Sequence, residues 1–132
     1  AAGLVRHYRR LYERNYDKLP IPHLPLDDAR TVMEKFRKGD AVGKSAFRDW
    51  LADLSTGLAN LITFYNPSCI VLGGGMSKVP ELLEELPEIN RERLQAEVDK
   101  LTLPATRGKC IILTSSLGDD AGAMGAALIV SN

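Results

Sequence analysis

Cys69-Ile70-Val71-Leu72-Gly73-Gly74-Gly75-Met76-Ser77 is an apolar run that ends in three glycines and a hydroxyl residue. Pro67 bounds the run on one side and the glycines on the other, so it reads as a short strand buried on both faces of a parallel sheet. Ser77 then stands as a natural helix cap, and the pattern predicts helix from there to Lys100, broken near Pro87. In its second half Ile89, Leu94, Val98 and Leu101 fall on one side. Ligands collect in the crevice beyond the carboxyl ends of parallel strands. Glycine permits positive φ and close approach of a flat or charged ligand. A helix start offers free N–H groups to a phosphate or a ribose hydroxyl. The loop is not G-x-G-x-x-G, and Lys78 follows Ser77 without the spacing of a phosphate loop. Mechanics alone therefore leaves two readings, a ligand-binding loop or a tight structural turn.

A second loop has the same setting. Residues 109–114 (Lys-Cys-Ile-Ile-Leu-Thr) read as another buried strand, followed by Ser115-Ser116-Leu117-Gly118. Asp119 or Asp120 caps a last helix expected over residues 120–130, which is rich in small residues: Ala121, Gly122, Ala123, Gly125, Ala126, Ala127. Glycine inside a helix costs about 0.5–1 kcal/mol against alanine, so these imply close packing against a backbone or a ligand. Strand, helix, strand, helix makes the two strands parallel with a right-handed crossover. Both loops then lie at one edge of the sheet and form two walls of one pocket. Asp119 and Asp120 read as capping carboxylates, since a metal or general-base role needs a partner group that is not visible.

Upstream the chain is helical. Leu4, Tyr8, Leu11 and Tyr12 recur at spacings of three and four in a helix over 2–18, and Pro20, Pro22 and Pro25 then impose an extended connector. Asp27 or Asp28 caps a helix over 28–38 that Gly39 stops; Asp40 caps a long helix to Tyr65. Phe47, Trp50, Leu51, Leu54, Leu58, Leu61, Ile62 and Tyr65 form its buried stripe, and Asn66-Pro67 ends it.

The 132 residues suffice for one domain with a core, and 45% hydrophobic with 26% charged residues is ordinary for a globular protein. Lys plus Arg equals Asp plus Glu, 17 each, so net charge attracts neither nucleic acid nor an anionic membrane. No apolar run approaches a membrane span, and the polar, basic start with Arg6, Arg9 and Arg10 leads to the expectation of no signal peptide. Cys69 and Cys110 sit among β-branched residues and read as buried free thiols. His7 and His23 are remote from them, so no metal site is expected. There is no Ser-His-Asp pattern, and no catalytic residue is assigned. A cytoplasmic protein is the default expectation.

Gly39-Asp40, Leu58-Ala59-Asn60-Leu61-Ile62, Asn66-Pro67, the strand with Gly73-Gly74-Gly75-Met76-Ser77, and the run from Leu117-Gly118-Asp119-Asp120 to Ala127 come in an order that resembles the C-terminal part of the ROK family of sugar kinases and sugar-responsive repressors. The resemblance runs over residues 39–130 and more loosely back to residue 1. It implies an actin-like ATPase (ribonuclease H-like) fold, α/β and helix-rich with few parallel strands, with ATP between two lobes. Residues 1–132 would be a single domain or fragment of the C-terminal lobe, with 1–38 a helical lead-in and 39–130 the nucleotide-side α/β unit. By that resemblance Gly73, Gly74 and Gly75 meet the adenosine and its phosphates, with Met76, Ser77 and Gly118 nearby. The family's phosphate loop, catalytic aspartate and His/Cys zinc site have no counterpart here.

The resemblance implies ATP with Mg2+, the metal not held by residues of this chain, and a hexose or N-acetylhexosamine as acceptor. The alternative is the effector domain of a ROK repressor without kinase activity, which alone would involve nucleic acid. A missing N-terminal lobe supplies the other strands and the base, so the fragment by itself is expected to be inactive. A homo-oligomer is expected, and no membrane.

Overall fold

Asp40 belongs to two helices at once. In the computed structural model, which describes residues 2–16 and 28–115 together with the backbone of the strand at 127–130, helix α2 (Ala29–Arg37) closes on Gly39 at φ +85°. The Gly39 amide donates to Phe36 O and the Asp40 amide to Lys35 O, both at 3.0 Å, a Schellman closure that only a left-handed residue completes without strain. The Asp40 carboxylate then accepts from the Gly43 amide at 2.8 Å and opens helix α3 (Ala41–Tyr65). Asp28 caps α2 through the Thr31 amide at 3.2 Å. At the far end of α3 the Asn66 amide reaches Ile62 O, and Asn66 takes φ +45° before Pro67 turns the chain. These starts and stops are the ones the sequence predicts.

The chain forms two compact units, Ala1–Asp53 and Leu54–Asn132, with α3 contributing to both. The first is helical. Helix α1 (Ala2–Asn15) buries Leu4, Val5 and Tyr8, α2 buries Val32 and Met33, and the first half of α3 buries Val42, Ala46 and Phe47. The Phe36 and Phe47 rings meet at 4.9 Å between centroids, and Lys35 Nζ lies 5.8 Å over the Tyr8 ring. His7 Nε2 pairs with Asp53 Oδ2 at 2.7 Å. Helix α1 ends earlier than the expected 2–18, and the proline connector at 19–25 and Asp27 lie outside the described residues.

The second unit is mixed α/β. Strand β1 (Cys69–Leu72) leads to a short 3-10 turn (Gly75–Lys78), helix α4 (Pro80–Leu83), a hairpin of β2 (Glu85–Leu86) and β3 (Arg91–Glu92), helix α5 (Arg93–Leu101) and strand β4 (Ile111–Thr114). β4 lies parallel to β1 in the register Cys69↔Ile111 to Leu72↔Thr114, as the crossover requires. Strand β5 (Ala127–Val130) lies antiparallel on the other side of β1, giving the order β4-β1-β5. The helix expected over 120–130 is therefore wrong for its last four residues. Ala-Leu-Ile-Val is β-compatible, and the bare edge of β1 offers it a ladder that local propensity does not reveal. Residues 116–126, with the rest of that expected helix, lie outside the described residues.

Three further expectations fail here. Residues 85–92 form a hairpin instead of helix, because Pro87 sits in the turn and Asn90, at φ +49°, reverses the chain with its amide on Leu86 O. Ile89 and Leu101 are accordingly exposed, whereas Leu94, Ala96 and Val98 of α5 are buried. Nor are the strands buried on both faces. Ile70, Leu72 and Ile112 are covered, but on the opposite face Ile111 is 56% and Leu113 47% exposed, beside a half-buried Cys69 and Val71. Tyr65, expected in the α3 stripe, is exposed as well. No described helix is long and apolar enough to cross a membrane.

Candidate functional site

Parallel pairing brings the starts of the two loops together. Leu72 and Thr114 are register partners at the carboxyl ends of β1 and β4, and the Ser115 amide donates to Leu72 O at 2.7 Å. The residue that opens the second loop is thus fastened to the residue before Gly73. Both loops begin at the carboxyl ends of this parallel strand pair, the side of a sheet where ligands commonly bind.

The three glycines are not equivalent. Gly74 has φ +88° and ψ 168°, a region essentially restricted to glycine. Gly73 and Gly75 are not among the positive-φ residues, so backbone conformation does not demand glycine at either. Gly75 is exposed, Gly73, Gly74 and Met76 are half-buried, and Ser77 is buried. Ser77 does not cap a helix. Its hydroxyl donates to Gly74 O at 2.6 Å, as its amide does at 3.1 Å, so the residue ties the loop to itself. In place of a long helix the chain makes one 3-10 turn and then the short α4, with Pro80 at its start. The helix dipole expected to favour phosphate here is accordingly lacking, since so short a turn sums few peptide dipoles. The loop can still offer a surface of backbone with little side chain. Gly118, Asp119 and Asp120 lie outside the described residues.

The chemistry around the loops is otherwise plain. Among the described residues no group of three His, Cys, Asp or Glu side chains is placed to hold a metal ion. Cys69 and Cys110 are free thiols, Cys110 buried and Cys69 only half so. Burial, and secondarily the neighbouring Cys69, push the Cys110 thiol above its ordinary range, which keeps it protonated and inert near neutrality.

Beside β4 is a polar network that the sequence pattern does not disclose. Gln95 of α5 donates through Nε2 to Cys110 O at 3.1 Å and to Asp99 Oδ1 at 3.0 Å, and its Oε1 accepts from the Ile112 amide at 2.8 Å. Arg91 of β3 pairs with the buried Asp99 carboxylate, and the Thr102 hydroxyl donates to Asp99 O. The available signal was a glutamine and an aspartate four apart on one face of α5, which reads equally well as a solvated helix surface.

The ROK family profile matches residues 3–132. The chain is 31% identical over 102 residues to an N-acetylgalactosamine kinase of Shewanella sp. (strain ANA-3), covering 77% of this chain and 30% of that protein. It is 31% identical over 104 residues to a glucokinase of Thermotoga maritima, covering 78% and 30%. It is 31% identical over 124 residues to an N-acetyl-D-glucosamine kinase of Pectobacterium carotovorum, covering 94% and 36%. The chain thus spans about a third of the length of the curated relatives it matches. By that match over nearly the whole sequence, the chain with its glycine loop at the end of a parallel strand pair belongs to the ROK family.

Proposed function

We propose that this chain is the nucleotide-side part of an ATP-dependent sugar kinase, built on an actin-like ATPase fold, whose acceptor is a hexose or an N-acetylhexosamine. The observation that carries the reading is a loop with two glycines that backbone conformation does not require, at the carboxyl end of the parallel pair β1 and β4, where Ser115 is fastened to Leu72. Relatives named as glucokinase and N-acetylhexosamine kinases favour a kinase over the repressor alternative.

The chemistry of the loop suggests a role for each residue. Gly73 and Gly75 let the backbone approach the adenosine of ATP closely. Gly74 supplies the bend, Ser77 holds that bend through its bond to Gly74 O, and Met76 gives an apolar contact beside the base. Gly118, which lies outside the described residues, is assigned to the same nucleotide site by the family resemblance alone. The described residues fit the nucleoside better than the phosphates. Mg2+, which neutralises the phosphate oxygens during transfer, is assigned by the family resemblance to residues outside this chain. The same holds for the base that takes the sugar hydroxyl proton.

The test is Gly75→Val in the complete kinase. The position is exposed and its backbone does not demand glycine, so the new methyl groups stand between backbone and nucleotide. KM for ATP is expected to rise about tenfold or more, with KM for sugar nearly unchanged. An unchanged KM for ATP removes this assignment. The chain by itself is expected to show no sugar-dependent ATP hydrolysis, measured by coupled assay.

A further inference from the structure

Among the described residues, a side chain and no strand occupies the outer edge of β4. Residues 111 and 115 of this segment donate toward β1, through Ile111 N to Ser68 O and Ser115 N to Leu72 O. The alternation of a parallel ladder therefore turns Cys110 O and Ile112 N outward, away from β1. Those two groups are the ones the Gln95 amide takes. A neighbouring parallel strand would place one residue there, donating to Cys110 O and accepting from Ile112 N. The Gln95 amide makes the same two bonds with the same polarity. Its remaining N–H goes to Asp99, whose buried carboxylate is held by Arg91, so the amide is fixed in orientation.

We propose that Gln95 closes the β4 edge against strand addition, and that the partner it excludes is the β4 of a second copy of this chain. An unguarded edge is a template for pairing. β4 is Ile-Ile-Leu-Thr, uncharged and β-prone, and its Ile111 and Leu113 already lie exposed on the open face of the sheet. Two copies of β4 paired antiparallel about a two-fold axis set Ile111 of each copy opposite Leu113 of the other. That joins the two exposed pairs into one apolar strip, a self-complementary contact.

The experiment combines sedimentation with amide exchange on the 132-residue chain. In the wild-type chain the Ile112 amide is expected to be protected from exchange; free exchange there overturns the proposal without recourse to any variant. Gln95→Leu removes all three bonds, and its self-association constant is expected to exceed that of the wild type by about tenfold or more. Adding Ile111→Lys places a charge on each copy's strip and is expected to return the double variant to wild-type behaviour. A folded Gln95→Leu chain that associates no more than wild type overturns the proposal. So does association that Ile111→Lys leaves untouched, because the contact then lies elsewhere, as it would for a chain that had merely unfolded.

Discussion

At Gly74 a side chain is excluded by the backbone; at Gly75 it is not. With φ +88° and ψ 168°, Gly74→Ala is expected to lower stability by about 1–3 kcal/mol in urea unfolding, whereas Gly75→Ala stays within about 0.5 kcal/mol. A loss of ATP affinity in a Gly74 variant therefore reports strain as much as steric exclusion, which is why Gly75 is the better probe. The sequence marks the triplet but not which member carries the bend, since φ depends on how Ser77 folds back onto the loop. Tyr8 offers a second residue-level test. Burial, then the Asp40 carboxylate and two neighbouring tyrosines, push its hydroxyl up to about 12. The unfolded chain deprotonates near pH 10, where the folded chain still holds the proton. The contribution is thus complete below pH 10 and is lost as pH rises toward 12, by at most about 1.4 kcal/mol per pH unit. Denaturant titrations at pH 9 and pH 11 are expected to show this fall, and Tyr8→Phe to reduce it.

Elements whose ends are written in capping residues were legible. Asp28, Gly39, Asp40 and Asn66 each act within a few residues of their own position, so the boundaries of α2 and α3 follow from local chemistry. The β2–β3 hairpin was not legible, because strands of two residues have no periodicity to read, and the flanking charges suit a helix equally well. A turn at Pro87 to Asn90 was the available cue. The α2–α3 corner also hides a close approach. A Cβ on Gly43 would stand 2.9 Å from the Phe36 amide nitrogen and 3.2 Å from Asp40 Oδ2. Gly43→Ala is therefore expected to destabilise the chain by about 1–3 kcal/mol despite alanine's helix propensity, read from thermal unfolding. Asp40→Ala is expected to cost about 0.5–2 kcal/mol through the lost cap.

For the whole molecule, the parallel pairing of β1 and β4 was foreseeable from two apolar runs flanking helical sequence. The antiparallel β5 was not, since pairing at a distance overrides the helical preference of an alanine-rich segment. The uncovered sheet face predicts that this chain binds an apolar reporter dye such as ANS. Leu113→Lys is expected to lower that binding while changing stability by no more than about 0.5 kcal/mol, because the side chain is already half in water. The same sheet has a consequence for synthesis. β1 cannot pair with β4 until roughly forty further residues have left the ribosome, which at about 5–20 residues per second is an interval of roughly two to eight seconds. Throughout that interval Cys69–Leu72 is a nascent apolar strand without its parallel mate, and the local structure that can form behind it is the 3-10 turn, α4, the hairpin and α5. Slowing translation within residues 73–110 lengthens this window, so chaperone dependence of this chain is expected to be set by codon usage in that stretch.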